Sequence, residues 1–249
     1  MSTPGAERPT SVRYYVLAAL LVITGINYIQ RNCISPSATS IEKSLGVTAV
    51  QLDLAAGAFF LAYTLLQVPT GWLAQRFGSR MMLPLFAAGW SLALVICGLA
   101  SGFPDLYAGR LLMGALQAGI FPCATLVLAS WYPASQRGLA TALLNSFMMM
   151  GGAAGVMLAG YLLEPLGWRG VFLAYAAPGF LWAVWFAWWF RNHPEDHPRV
   201  NAAERALLAE GRPSLTAPRS ESAARPALAS WTLIFSMSVV LLCSQQFFR

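Results

Sequence analysis

The stretch Gly71–Arg80, GWLAQRFGSR, lies between two apolar runs that are each long enough to cross a lipid bilayer. Its glycines let two helices approach closely and let the chain turn sharply, and its arginines favour the cytoplasmic side of a membrane. The spacing G-x-L-x-x-R-x-G-x-R therefore predicts a short cytoplasmic turn between two transmembrane helices.

The same spacing recurs at Gly160–Arg169, GYLLEPLGWR, with its glycines, leucine and final arginine all shifted by 89 positions. A fixed offset of this kind is typical of membrane proteins built from internal repeats. The sequence therefore predicts two units of three helices each.

The composition also indicates a membrane protein, because 57% of the residues are hydrophobic and only 10% are charged. Soluble domains carry about 25% charged residues. The net charge of +6 does not indicate a nucleic-acid partner, because the arginines cluster at the N-terminus and in alternate gaps between apolar runs. That asymmetry predicts a cytoplasmic N-terminus and a cytoplasmic loop at 191–230.

The apolar runs divide the chain into a cytosolic tail (1–13), a six-helix transmembrane region (14–190), a cytosolic central loop (191–230) and the start of a seventh helix (231–249). The six helices are expected near 14–35, 50–74, 82–101, 105–131, 138–163 and 169–190. Residues 36–49 are expected to form an external loop, and a short surface helix is expected around 201–210. Because the last run stops without a polar flank, we expect a truncated chain whose C-terminal six-helix half is missing.

Three longer stretches carry a family resemblance: FFLAYTLLQVPTGWLAQRFGSR at 59–80, GRLLMGALQAGIFPCATLVLASWYPASQRGLA at 109–140 and NHPEDHPRVNAAERALL at 192–208. Together they resemble the major facilitator superfamily and, within it, the anion:cation symporter family. The resemblance implies an all-α integral membrane fold, namely a six-helix N-terminal bundle of 3+3 inverted repeats plus a partial seventh helix. It also implies alternating-access transport of organic anions such as hexuronates, aldarates, tartrate or phthalates.

Glutamine stands at three positions where that family usually has an acid: Gln30, Gln117 and Gln75. Glutamine keeps the size and hydrogen bonding of glutamate but cannot titrate. The first two acids are those that the resemblance implies for proton coupling, so we expect transport without a proton route through these positions. The third substitution weakens a charged contact in the loop at 71–80.

Arg31 is the leading candidate for binding the substrate, because it follows a nearly uncharged helix from Tyr14 to Gln30. An arginine inside a bilayer costs about 2.5–3.5 kcal/mol on insertion scales, so it should face a cavity or a partner. Its planar guanidinium suits a carboxylate or a phosphate. The alternative is that Arg31 lies near the outer interface and extends its charged end into water.

Two further arginines could act with Arg31. Arg249 lies 18 residues after Trp231, as Arg31 lies 18 after Arg13, so the two could share a depth and hold a doubly charged anion. Arg110 opens the fourth helix and could instead pair with the nearby Asp105; the resemblance assigns it to helix packing and coupling.

The remaining candidates are polar residues on predicted helices, each of which could hydrogen-bond a hydroxylated substrate or bridge two helices. The predicted substrate-binding set is Arg31, Gln30, Asn27, Tyr28, Tyr63, Gln67, Gln117, Asn145 and Arg249. The predicted gating and coupling set is Gly71, Gln75, Arg76, Gly78, Arg80 and Arg110.

Motifs of enzymes are absent from the sequence: there is no P-loop, no G-x-S-x-G and no metal-spaced Cys/His cluster. His193 and His197 have a metal-like spacing, but Pro194 interrupts the helix that would align them. We therefore predict neither an enzyme nor a cofactor or metal site.

The predicted function is a carrier for a small organic anion, a sugar acid or another carboxylate, in the cytoplasmic (inner) membrane. A co-transported ion remains an open partner. Two alternatives remain: an organophosphate or phosphate-type exchanger, and a truncated, non-transporting membrane protein or sensor.

Overall fold

The computed structural model describes residues 8–209, and every element of regular secondary structure in that range is helical. The elements are α1 (Val12–Arg31), α2 (Ile34–Leu45), α3 (Ala49–Phe77), α4 (Ser79–Gly98), α5 (Phe103–Gln117), α6 (Ile120–Trp131), α7 (Ala134–Trp189), a short 3₁₀ helix (Pro194–Asp196) and α8 (Ala202–Ala209). The predicted seventh helix at 231–249, Arg249 and the central loop beyond residue 209 lie outside the described residues.

Five stretches of this range are long and apolar enough to cross a membrane: Val12–Leu45, Ala49–Phe77, Ser79–Gly98, Phe103–Trp131 and Ala134–Trp189. The last has 56 residues. A straight helix of that length would measure about 84 Å, against a hydrocarbon core of about 30 Å. It must therefore cross twice, and the predicted all-α membrane fold is confirmed.

The two crossings of α7 meet at Gly167, whose φ of 63° and ψ of 173° lie outside helical geometry. Gly78, between α3 and α4, has a φ of 81° and a ψ of 148°. These are two of the three positive-φ residues in the described range, and they are the glycines that the 89-residue offset relates. Both turns therefore need glycine, because this region of backbone space is essentially closed to other residues.

The first and fourth predicted spans each contain a break. The break at 32–33 separates α1 from α2, and the break at 118–119 separates α5 from α6. Each begins four residues before a proline, Pro36 or Pro122. A proline ring opposes the carbonyl four residues earlier and offers it no N–H, which interrupts the helix there.

The predicted external loop at 36–49 is wrong over most of its length, because α2 continues to Leu45. The sequence 34–45, ISPSATSIEKSL, is polar enough to read as a loop, yet Ser37 and Ile41 are fully buried. Tertiary packing thus outweighs local composition in this segment. The surface helix expected around 201–210 is present as α8.

The helices pack as α1 against α7, α4 against both α5 and α7, and α3 against α5. Small residues allow these contacts. A Cβ added at Gly155 would lie 2.7 Å from the Cα of Ile29, and one at Gly151 would overlap the carbonyl of Gly25. The first half of α7 therefore lies directly against the backbone of α1, as interfaces between membrane helices commonly do.

A candidate anion site between three helices

The guanidinium of Arg31 is surrounded by four aromatic rings from two helices. Its central carbon lies 4.8 Å from the ring centroids of Phe59 and Phe60, and 5.3 Å from those of Tyr28 and Tyr63. Within the range 8–209 its guanidinium has no hydrogen bond and no acidic partner. Ring faces stabilise a cation without neutralising it, so the charge of Arg31 remains available to an anion.

Arg31 is the last residue of α1, and the helical path continues beyond it. The helical stretch Val12–Leu45 contains 34 residues. Arg31 is followed by the break at 32–33 and then by the twelve residues of α2, which rise about 18 Å. The interpretation that places Arg31 near an interface assumed a helix that ends by residue 35, whereas the helical path continues to Leu45.

Arg110 of α5 lies beside Arg31 and is almost completely buried, with 2% of its surface exposed. Its Nη1 donates to the main-chain carbonyl of Arg31 at 3.5 Å, and its guanidinium carbon lies 4.7 Å from the centroid of Phe59. The predicted alternative, a pair with Asp105, is not formed. The Asp105 carboxylate accepts instead from the main-chain N–H and the hydroxyl of Ser101.

The contact of Phe59 with both arginines depends on Gly114. A Cβ on Gly114 would overlap the main-chain carbonyl of Phe59, so only glycine lets α3 and α5 approach so closely. Because α3 lies against α5 here, the ring of Phe59 contacts both guanidinium groups. Two positive charges in a protein interior, with no acid beside them in the described residues, form a site that favours an anion.

Gln30 has a different environment from its neighbour Arg31. Its Nε2 donates to the carbonyl of Tyr175 at 2.6 Å, and its Oε1 accepts from the indole N–H of Trp90. The side chain is fully buried and joins α1 to α4 and to the second half of α7. Both ends of the amide are therefore used in holding helices together.

The other polar candidates are dispersed. Gln117 is fully buried, and both atoms of its amide lack a partner among the described residues; Asn27 is 2% exposed, and its Nδ2 lacks one as well. Gln67 is half-buried and Asn145 is exposed. None of these four hydrogen-bonds to Arg31, so the contacts of the structure gather only Tyr28 and Tyr63 of the predicted polar set around it.

The predicted gating residues other than Arg110 of α5 lie at 71–80, at the end of α3 and the turn into α4. The main-chain N–H of Arg80 donates to Oδ1 of Asn192 at 2.8 Å, which ties this turn to the segment after α7. Arg76 is exposed and lies over the rings of Trp72 and Phe77, at 5.4 and 5.8 Å.

Gln75 is exposed, and a Cβ on Gly71 would lie 3.4 Å from Cβ of Pro122, an ordinary packing contact with α6. Within 8–209 no acidic side chain pairs with Arg76 or Arg80. The turn is therefore held by main-chain and aromatic contacts rather than by a charged pair.

Phe59 and Phe60 were not predicted as site residues, although Phe59 contacts both arginines. The available signal was the run FFLAY at 59–63, in which three aromatic residues lie within one helical turn and a half. Aromatic residues are common in membrane helices, so their density alone does not separate a site from packing.

The structure shows no group of three or more metal-ligating side chains in the part of the chain that it describes. His197 is buried edge-on against Trp131 and Trp189, at 5.7 and 5.3 Å between ring centroids. Burial and the positive charges of Arg191 and Arg199 lower the pKa of His197. His197 is therefore a packing residue that favours its neutral form.

Comparisons with known proteins identify relatives of this chain. The sequence profile described as the Major Facilitator Superfamily matches residues 20–248. The probable galactarate/D-glucarate transporter of Bacillus subtilis is 35% identical over 218 residues, which cover 84% of this chain and 47% of that protein. A probable galactarate/D-glucarate transporter of Escherichia coli is 33% identical over 211 residues, which cover 82% of this chain and 47% of that protein.

Among solved structures, a bacterial homologue of the human lysosomal transporter Spinster, in an inward-facing and unoccupied conformation, matches with a TM-score of 0.69 and 26% identity. The match covers 76% of this chain and 45% of that one. This chain thus spans about half the length of the curated relatives that it matches.

Proposed function

Because the chain belongs to the major facilitator superfamily, we propose that it supplies the N-terminal half of a carrier for a small organic anion, a sugar acid or another carboxylate. One observation carries the proposal: four aromatic rings surround the guanidinium of Arg31, and no acidic side chain in the described residues pairs with it. A carboxylate can accept two parallel hydrogen bonds from such a group. The relatives named as galactarate/D-glucarate transporters favour a sugar acid as the substrate class.

Arg110, which also contacts the ring of Phe59, supports the same proposal. It contributes a second positive charge close to Arg31 and donates to the Arg31 carbonyl, which holds the end of α1 in place. Tyr28 and Tyr63 bring phenolic groups to the same position, and these can hydrogen-bond the hydroxyls of a sugar acid. The site therefore combines charge for a carboxylate with donors for hydroxyls.

The transport cycle that we propose is alternating access between this half and a second six-helix half. Gln30 and Gln117 cannot exchange protons, and Gln30 is fully used in hydrogen bonds between helices. We therefore propose exchange, facilitated diffusion or sodium-coupled uptake. The proposed location is the cytoplasmic membrane, with the N-terminus in the cytoplasm.

Uptake into proteoliposomes tests this proposal. The complete protein that contains this chain is reconstituted and offered a labelled panel of aldarates, hexuronates, tartrate and phthalate, with neutral hexoses as controls. We expect saturable uptake of at least one carboxylate and none of the neutral sugars. Uptake of neutral sugars with equal efficiency would contradict the role of the arginines.

A phosphate-type exchanger is the second candidate, because the two guanidinium groups beside the ring of Phe59 also suit a phosphoryl dianion. Glycerol phosphate and inorganic phosphate are therefore included in the panel. Exchange of these and not of the carboxylates would establish the second candidate. Saturable binding without uptake of any member would instead indicate the remaining alternative, a non-transporting sensor.

A further inference from the structure

A groove runs along the outside of the bundle, between α1 and the second half of α7. Its volume is about 690 Å³, and its walls include Val12, Tyr15 and Val22 from α1 and Trp185 and Trp188 from α7. At the end where α1 begins and α7 ends, the same groove is lined by Arg199. None of these residues takes part in the site around Arg31.

The walls of the groove are rigid and apolar. The indole rings of Trp185 and Trp189 stack at 5.3 Å, with 9° between their planes. Trp182 donates its indole N–H to the carbonyl of Ala19 at 3.1 Å, which fixes its ring and uses its polar atom. The surface between the two helices is therefore preformed and has few polar groups to offer a soluble ligand.

The one charged side chain of the lining is exposed and unneutralised in the described range. The main-chain N–H of Arg199 donates to Nδ1 of His197, while its guanidinium has no hydrogen bond and no acidic partner there. The nearby Arg191 is occupied, because its Nη1 donates to the carbonyls of Trp188 and Phe190 at the end of α7. Arg199 is thus free to bind a phosphate.

The length of the groove matches one leaflet of a bilayer. Its α1 lining runs from Val12 to Val22. Ten residues of helix rise about 15 Å, which is half of a hydrocarbon core of about 30 Å. Tryptophan and tyrosine side chains cluster at its charged end, as they do at the boundary between headgroups and acyl chains.

We propose that this groove is a binding site for an anionic phospholipid of the leaflet in which α1 begins. An acyl chain lies along Val22, Trp185 and Trp188, and the headgroup phosphate is bound by Arg199. A peptide would need partners for its main-chain polar groups, which this apolar lining lacks. A free phosphate would leave the apolar length of the groove unused.

Lipid retention by the full chain tests the site. The protein is reconstituted in nanodiscs of phosphatidylcholine with and without phosphatidylglycerol, and bound lipid is counted by native mass spectrometry after transfer to detergent. We expect the parent chain to retain phosphatidylglycerol in preference to phosphatidylcholine. Absence of any preference would overturn the proposal.

Two arginine variants separate a site from general attraction to negative lipid. Arg199→Gln should weaken phosphatidylglycerol retention about fivefold, since one basic residue near an anionic surface is worth that much. Arg205→Gln removes an exposed arginine of α8 that does not line the groove, and it should retain the lipid like the parent. Equal losses in both variants would mean diffuse attraction and would overturn the proposal.

A third variant tests the apolar part of the groove. Trp188 is 76% exposed, so Trp188→Ala should fold normally while it removes one wall. We expect weaker retention of long-chain phosphatidylglycerol, and no displacement of the lipid by inorganic phosphate. Parent-like retention in Trp188→Ala, or displacement by inorganic phosphate, would show that the groove does not hold an acyl chain.

Discussion

Arg110 donates a hydrogen bond from its guanidinium to the main-chain carbonyl of Arg31, and both arginines lie within 5 Å of the same ring, that of Phe59. The two residues are 79 positions apart in the sequence. The two positive charges repel each other, and a bound anion offsets that repulsion. The arrangement therefore favours the anion-bound state over the unbound one. Arg31 is the more accessible member of the pair.

Arg31→Lys should bind the substrate much more weakly than the parent, although it keeps the positive charge. An ammonium cannot reproduce the planar fork that binds a carboxylate through two hydrogen bonds. Loss of a charge-assisted pair in a cavity costs about 2–5 kcal/mol, or roughly thirtyfold or more in affinity. The measurement is the substrate affinity of Arg31→Lys and Arg31→Gln at matched expression, with Arg205→Gln as the control. Near-parent affinity in both Arg31 variants would indicate that Arg31 has only a structural role.

Transport should persist when the pH gradient is collapsed. Neither Gln30 nor Gln117 can carry a proton, and Gln30 is held by Tyr175 and Trp90. The measurement is substrate accumulation by the complete protein before and after addition of an uncoupler. Accumulation that follows the proton gradient and disappears with the uncoupler would contradict this, unless an acid in the other half supplies the proton.

Gly78→Ala should destabilise the fold more than Gly167→Ala. Both glycines have a positive φ, so alanine introduces backbone strain of about 1–3 kcal/mol at either position. At Gly78 the new Cβ would also lie 2.5 Å from Nδ2 of Asn192, and the displaced Asn192 would lose its bond to Arg80, worth about 0.5–1.5 kcal/mol. No atom lies within 4 Å of a Cβ at Gly167.

The free energies of unfolding of both variants test this difference. Gly138→Ala is the matched control, because Gly138 is helical and open, and alanine there should be neutral or stabilising. Equal losses in the free energy of unfolding at positions 78 and 167 would show that the Asn192 side chain moves aside without loss of stability.

His197 should make the protein less stable as the pH falls below about 6.5, the ordinary pKa of histidine. Burial and two arginines lower the pKa of His197 in the folded chain, so the unfolded chain binds the proton more readily. The stability that the neutral form contributes is thus present above the unfolded pKa and is lost as the pH falls toward the folded pKa. Thermal unfolding of His197→Gln should depend less on pH in this window, whereas His193→Gln, at an exposed position, should behave like the parent.

Reporter fusions after residues 45 and 210 should report opposite sides of the membrane. The arginine distribution predicts that the N-terminus and the loop at 191–230 are cytoplasmic, while the end of α2 is external. Signals from the same side at both positions would contradict the predicted topology.

The membrane fold, its helical passes and the two glycine turns were predictable from the sequence, because these features depend on local chemistry. Apolar runs of about 20 residues insert as helices whatever surrounds them, and a glycine turn needs only its own backbone freedom. The 89-residue repeat was likewise readable, and the structure places a positive-φ glycine at both of its turns.

The tertiary structure alone decided which side chains meet. The four aromatic rings around Arg31 come from α1 and α3, and Arg110, which lies beside Arg31, comes from α5. The Gln30 amide hydrogen-bonds to Trp90 and Tyr175, whereas the guanidinium of the adjacent Arg31 makes no hydrogen bond in the described residues. The sequence could not predict this difference, because neighbouring residues on a helix point in directions about 100° apart. The same reason explains α2: its polar sequence favours a loop, and only packing against the bundle makes it a helix.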